Sequence, residues 1–402
     1  MAYPVVMRVL ISGAGIAGPT LAYWLAHYGF EPTIVERAPE LRSGGYVVDF
    51  WGLGFEITGR MGLIPELREK GYMVEEVRTV NSRGKRVAWF PASSFTRVTK
   101  GQFVSIARSD LSASIFSKIE DKVEALFGDS ISRIEQDADT CHVTFESGLR
   151  RDFDLVIGAD GLHSRVRELA FSDESQFEKY LGYKVAAFQA EGYRPRDELT
   201  YVMFTEVGQQ IARFAMRNDR TMFLFTFADS LPHRPEEDTL AGRKALLHSR
   251  FGNSGWECPQ ILQALDSAGD LYFDRVGQIH LPSDRGAWSR GRVTLIGDAA
   301  SCASLLAGEG SGLAIIAAYI LAGELHRTQG DYVKAFANYQ QLFAPFVRKK
   351  QKMALRYAGT FAPKSRMSLF LRNQIVNLLR IRWFADVAVS RDMRDDIAIP
   401  NY

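Results

Sequence analysis

The chain is poor in cysteine. Only Cys141, Cys258 and Cys302 occur in 402 residues, and no Cys-x-x-Cys pair is formed. That argues against a disulfide framework and a thiolate metal site, and it favours reduced, buried thiols in a cytoplasmic protein. Long hydrophobic runs are also missing. The most apolar helical stretch, residues 313–322, falls short of the roughly 20 residues that span a bilayer. No basic stretch precedes the first apolar run, which a glycine turn interrupts, so no secretion leader is expected. Neither sign of charge dominates: the formal net charge is +2, too small to imply a nucleic-acid partner. Repeats and low-complexity tracts are absent. What remains is an ordinary globular composition, 46% hydrophobic and 24% charged, long enough for two domains.

Against that background one stretch stands out. The apolar run Arg8-Val9-Leu10-Ile11-Ser12 reads as a buried parallel strand. It breaks into Gly13-Ala14-Gly15-Ile16-Ala17-Gly18 and then into a helix reaching about Tyr28. Gly13 permits the tight turn, Gly15 lets a pyrophosphate approach the backbone, and Gly18 lets helix and strand pack closely. The helix start offers free N–H groups and partial positive charge to phosphates. A second strand, residues 32–36, then ends in Glu36, where a ribose hydroxyl acceptor belongs. Strand, turn, helix, strand and acid in this order point to a bound dinucleotide. Glu36 favours a free 2′-hydroxyl, hence FAD or NAD over NADP.

Farther along, turn formers (Pro39, Ser43, Gly44, Gly45) lead into Tyr46-Val47-Val48-Asp49-Phe50-Trp51-Gly52. The flanking glycines fit a loop beside a cofactor ring or an ordinary turn equally well. Residues 55–61 and 64–70 read as helices, and 74–90 as strands with a turn at 82–84. Arg108 introduces a helix with Ser109 or Asp110 as N-cap. A second buried strand ends at Gly158-Ala159-Asp160-Gly161 and gives way to an arginine-bearing helix start. Residues 181–227 alternate and are rich in aromatics, as antiparallel strands are. A third buried strand ends in Gly297-Asp298, followed by the loop 306–312 and an apolar helix to about His326. Helices are expected at 239–251 and 259–267, and a basic helical region from 332 to about 389.

The three motifs, Gly13/Gly15/Gly18, Asp160-Gly161 and Gly297-Asp298, together resemble those of the class A flavoprotein monooxygenases. This aromatic-hydroxylase family includes para-hydroxybenzoate hydroxylase and the tetracycline-inactivating monooxygenases. The stretch GGYVVDFWG and the aromatic tail of helices look most like the tetracycline-inactivating branch. The implied fold is α/β: a Rossmann-like FAD-binding domain (1–73, 101–178, 276–330), an inserted antiparallel β-sheet substrate domain (74–100, 179–275) and a C-terminal helical segment (331–402). In that family NAD(P)H reduces FAD, and O2 is then activated to hydroxylate an aromatic or polycyclic small molecule. The cofactor carries that chemistry, so no catalytic side chain is assigned. The reductant, NADPH or NADH, would visit transiently, and the chain would act as a monomer or homodimer without metal or membrane.

By position, the resemblance implies phosphate binding by Gly13, Ala14, Gly15, Ile16, Ala17 and Gly18. It places Glu36 on the ribose, Arg37 beside the adenine, and Arg108, Gly297 and Asp298 near the ribityl chain and pyrophosphate. A surface ion pair is the competing reading for Arg108. Asp160 and Gly161 are shared between FAD and the approaching nicotinamide. Gly308, Gly310, Ser311 and Gly312 set a helix start against the flavin ring, where partial positive charge stabilises the reduced form. The chain departs from family habit at Ser304-Leu305-Leu306, where prolines are usual, and at Glu309, where glutamine is usual. The asparagine that often follows is absent. A carboxylate at 309 opposes reduced flavin unless it points away or is protonated.

Candidate substrate contacts are Gln189, Arg213, Phe204, Phe223, Phe225 and Leu305, with the phenylalanines equally suited to a core. His163 reads as a packing or capping residue. The basic, apolar C-terminal region reads as a helix bridging the domains with its basic face in water, in preference to a membrane-surface helix, and it could gate the pocket. A flavin reductase or a non-catalytic flavoprotein are the alternatives. A halogenase lacks its Trp-x-Trp-x-Ile-Pro motif here.

Overall fold

The strand Arg8–Ser12 lies inside a six-stranded sheet. A computed structural model describes residues 6–42, 45–282, 288–392 and 395–402; Ser43 and Gly44 lie outside them. Arg8–Ser12 pairs in parallel with Glu31–Glu36 on one side and Leu155–Gly158 on the other. Leu155–Gly158 in turn pairs in parallel with Val293–Leu295. The three strands that carry the glycine motifs are therefore neighbours running the same way, and their turns emerge at one sheet edge. Val9, Leu10 and Ile11 are completely buried, as strands covered on both faces must be.

A second, seven-stranded sheet joins Glu76–Val80 and Arg86–Pro91 to strands between residues 178 and 279. Thr200–Glu206 pairs in parallel with Glu76–Val80, and the other pairings are antiparallel. Its outer face is covered by Leu240–Phe251 and Cys258–Ser267, which enclose an aromatic core. Phe204, Phe223 and Phe225 belong to that core, not to a ligand-facing wall. Arg213 points the same way, its guanidinium held by Glu257 (2.8 Å) and Asp197 (2.6 Å). Alternation along each strand sends these four residues outward, while Tyr201, Phe214 and Met222 line the face toward the first sheet.

The helix Gly310–Arg327 runs between Ala17–His27 and Tyr332–Phe361, and residues 313–325 are all buried. A helix apolar on every side is a core helix. The long helical region is not continuous. It breaks after Phe361, because Pro363 disfavours helical backbone at Ala362, and restarts at Arg366 with Ser365 as N-cap in a capping box. The helix Arg108–Phe116 starts from Ala107, and neither Ser109 nor Asp110 caps it.

Arg167 ties the second motif to the third. Fully buried, it donates to the carbonyls of Leu162 (2.7 Å) and Ala299 (3.0 Å) and pairs with Glu174 (2.7 Å). Without it Glu174 keeps His163 and Arg275, but the Leu162 and Ala299 carbonyls lose their buried donor. Arg167→Met should cost about 1–3 kcal/mol in urea-induced unfolding.

Candidate functional site

The three glycine turns touch. Gly13 adopts φ +108°, and a Cβ there would lie 2.6 Å from the Ala159 carbonyl oxygen and 3.0 Å from the Asp160 Cα. A Cβ on Gly18 would meet the Gly13 oxygen at 1.9 Å, and one on Gly297 would meet the Ala17 Cβ at 3.1 Å. Both oxygens of Glu36 accept backbone N–H groups, from Ala14 (2.8 Å) and Ala38 (2.9 Å). The acid is thus fastened to the glycine loop. No side chain caps the helix starting at Ala17, so its first N–H groups stay available to an anion. Arg37 is exposed beside this loop.

Arg108 reaches over the same turn, its Nη2 3.7 Å from where a Gly15 Cβ would stand. Among the described residues its guanidinium has no ion-pair or hydrogen-bond partner, unlike the surface pair considered above. Asp298 faces it; burial raises that carboxyl's pKa while the Arg108 charge opposes the rise. The Tyr46 and Tyr272 rings meet at a tilt, 5.5 Å apart, around the same point, and burial pushes Tyr46 up to about 12. A helix start without a side-chain cap and an unpaired arginine above a glycine turn fit a pyrophosphate. Glu36 fits a ribose diol. These residues can therefore hold an FAD.

Asp160 accepts from the Ser164 hydroxyl and from Val166 N–H (3.0 Å), and Ser164 caps the helix Arg165–Ala170. Beside it, His163 is not a simple packing residue. It lies between Glu174 (2.9 Å) and Asp274 (3.2 Å), whose carboxylates push its pKa up to about 9.

A narrow crevice opens between Val47–Trp51 and the start of Gly310–Arg327, lined by Asp49, Phe50, Gly54, Gly308, Glu309 and Gly312. Asp49 accepts from Ser105 and, at 3.4 Å, from Tyr201; burial raises its pKa. The Glu309 carboxylate is paired: Lys350, itself buried, approaches it at 2.8 Å and Asp395 at 3.1 Å. Asp395 also accepts Leu53 N–H at 2.8 Å. The chain beyond the last helix thus returns to brace this loop. Ser304 adopts φ +118°, strained for a residue with a side chain, and its hydroxyl accepts Leu306 N–H.

Of the proposed substrate contacts, Leu305 packs with Tyr183, Val185 and Tyr272, and Gln189 shares the inward face of Met222 while accepting from Arg220 (3.2 Å). Tyr46, Asp49, Tyr201, Tyr272, Lys350 and Asp395 escaped sequence reasoning as individual site residues. Only Tyr46 and Asp49 carried a signal, the flanking glycines.

The parallel sheet with its converging turns defines a dinucleotide-binding α/β protein. A family profile described as FAD binding domain matches residues 6–330, and the chain belongs to that family. A flavin-dependent monooxygenase from an unknown prokaryotic organism is 34% identical over 360 residues, 89% of this chain and 90% of the relative. One from Legionella longbeachae is 31% identical over 400 residues, 98% of each. The structure of tetracycline destructase Tet(55) superimposes with a TM-score of 0.83 at 30% identity, covering 99% of this chain and 100% of that one. The chain is a class A flavin-dependent monooxygenase, with FAD as its cofactor. Among the described residues no helix is long and apolar enough to cross a membrane, and no cluster could hold a metal ion.

His163 gives a pH signature. Its folded pKa, about 9, stands above the ordinary 6.5, so its contribution is complete below pH 6.5 and is lost as pH rises through about 9. Melting temperatures of the native protein and His163→Gln should differ most below pH 6.5 and converge above about 9.

Proposed function

We propose that the enzyme takes reducing equivalents from NADPH or NADH and inserts one oxygen atom from O2 into an aromatic or polycyclic small molecule. A tetracycline-like compound is the first candidate. The supporting observation is the inward face of the seven-stranded sheet: Tyr183, Tyr201, Phe214 and Met222, with Leu305 of the turn Leu305–Ala307 packed beside Tyr183, make an apolar wall with few polar anchors, the usual make-up of a small-molecule site. The likeness to tetracycline destructases over the whole chain supports the polycyclic choice.

Bound FAD would supply hydride acceptance and oxygen activation. The glycine-turn N–H groups and Arg108 hold the pyrophosphate, and Glu36 holds the ribose. Asp298 and the backbone beside it take the ribityl chain. The start of Gly310–Arg327 lends its partial positive charge to the ring edge, worth about 0.3–2 kcal/mol. Lys350, shared with Asp395, offsets part of the Glu309 charge that opposes it. The tyrosine-lined wall excludes water. Asp160 and Gly161 flank the approach of the nicotinamide.

Two measurements test this reading. Tetracycline-dependent NAD(P)H consumption, with O2 uptake and a product heavier by one oxygen atom, is expected. Hydride turnover without oxygen incorporation would indicate a reductase. Arg108→Ala should weaken FAD binding by about tenfold or more, the value of a charge-assisted contact, with little change in melting temperature of the apoprotein.

A further inference from the structure

The helix Arg366–Leu378 is packed inside out. Two of its polar side chains, Arg372 and Asn377, face the protein. Arg372 donates to the Thr360 carbonyl (2.8 Å) and to Gln210 (3.2 Å). Asn377 accepts Trp89 N–H (3.3 Å) and donates to the Val87 carbonyl (3.2 Å), covering the backbone of the edge strand Arg86–Pro91. Its apolar side chains face outward: Met367, Phe370, Leu371, Ile375 and Leu378 recur at helical spacing on the exposed side. The next turns extend the patch through Ile381, Trp383 and Val387, with Phe370 57% and Trp383 73% exposed. The apolar face expected to pack inward is therefore the one in water. Since the inward contacts are satisfied and the helix is properly capped, the orientation is built in. A contiguous exposed apolar face marks an interaction surface.

Charge selects the occupant. Residues 332–385 contain no aspartate or glutamate. Lys364, Arg366, Arg380 and Arg382 rim the patch; Arg380 and Arg86 both lie over Trp89, at 4.8 and 4.9 Å. The next acid along the chain, Asp386, is engaged by Arg97 (3.0 Å) and lies 3.8 Å from Arg382. A second copy docked on this face about a two-fold axis would set these cations against themselves. An anionic lipid surface offers them counter-charges and takes the outward side chains into its acyl boundary. We propose that residues 364–387 form a membrane-surface docking face, on which the enzyme lies against anionic lipid headgroups without spanning the bilayer.

The test is sedimentation of the full-length FAD-loaded enzyme with phosphatidylcholine vesicles, with and without phosphatidylglycerol, at low and high salt. Binding is expected only to the anionic vesicles, weakening with salt. The doubly substituted Phe370→Asp/Trp383→Asp enzyme should bind about tenfold or more weakly while keeping its FAD content and melting temperature. Because that variant could fold poorly, Lys364→Glu/Arg366→Glu serves as a second probe with the same expected loss. Failure of the native enzyme to sediment with anionic vesicles would overturn the proposal, as would undiminished binding by both variants. A dimer that the double substitution dissociates, with no vesicle binding, would assign the face to self-association instead.

Discussion

Three backbone reversals packed together with little more than the Ala17 methyl between them are the constraint on which the site rests. Gly13 abuts Ala159 and Asp160, Gly18 abuts Gly13, and Gly297 abuts Ala17. Such approaches leave no room for a Cβ, and they bring together turns separated by well over a hundred residues of chain. Parallel pairing of Arg8–Ser12, Leu155–Gly158 and Val293–Leu295 makes the convergence possible. Ligands of open parallel sheets sit at the carboxyl ends of the strands. Arg167 then fixes the second turn to the third, and Glu36 ties the first to the end of the neighbouring strand, through hydrogen bonds to backbone.

Electrostatics refine this frame. Around the turns lie half-buried acids, Asp160 and Asp298, whose carboxyls desolvation pushes up, and an arginine, Arg108, with no ion-pair or hydrogen-bond partner among the described residues. That imbalance suits a ligand carrying phosphate charge at one end and hydroxyls along its length. At the other end, Lys350 shares its charge between Glu309 and Asp395. The loop that departs from family habit at position 309 has a cation nearby, supplied by a distant helix and shared with an acid of the returning tail.

Much of the frame was legible because its signals are local. The buried strands, the glycine turns, Glu36 and the helix Gly310–Arg327 each follow from a few consecutive residues. The long aromatic strands were legible as strands, but not their faces: alternation says that Phe204, Phe223 and Phe225 share a side, not that helices Leu240–Phe251 and Cys258–Ser267 cover it. Arg213 followed the same register into that core, where Asp197 and Glu257 could not be anticipated as partners. Tyr272, Lys350 and Asp395 reach the site only through tertiary packing. The C-terminal helix carried a periodic pattern whose ordinary reading is burial. Its polar side is anchored instead by Thr360, Gln210 and the Arg86–Pro91 edge, which only the packed chain displays.

The most direct measurement of the central claim is the flavin content of the native protein, read from its visible absorption spectrum and from titration of the apoprotein with FAD. Convergence of the three turns on one extended ligand predicts a yellow protein that saturates at a single FAD per chain. A colourless polypeptide that takes up no added FAD under native conditions would contradict it.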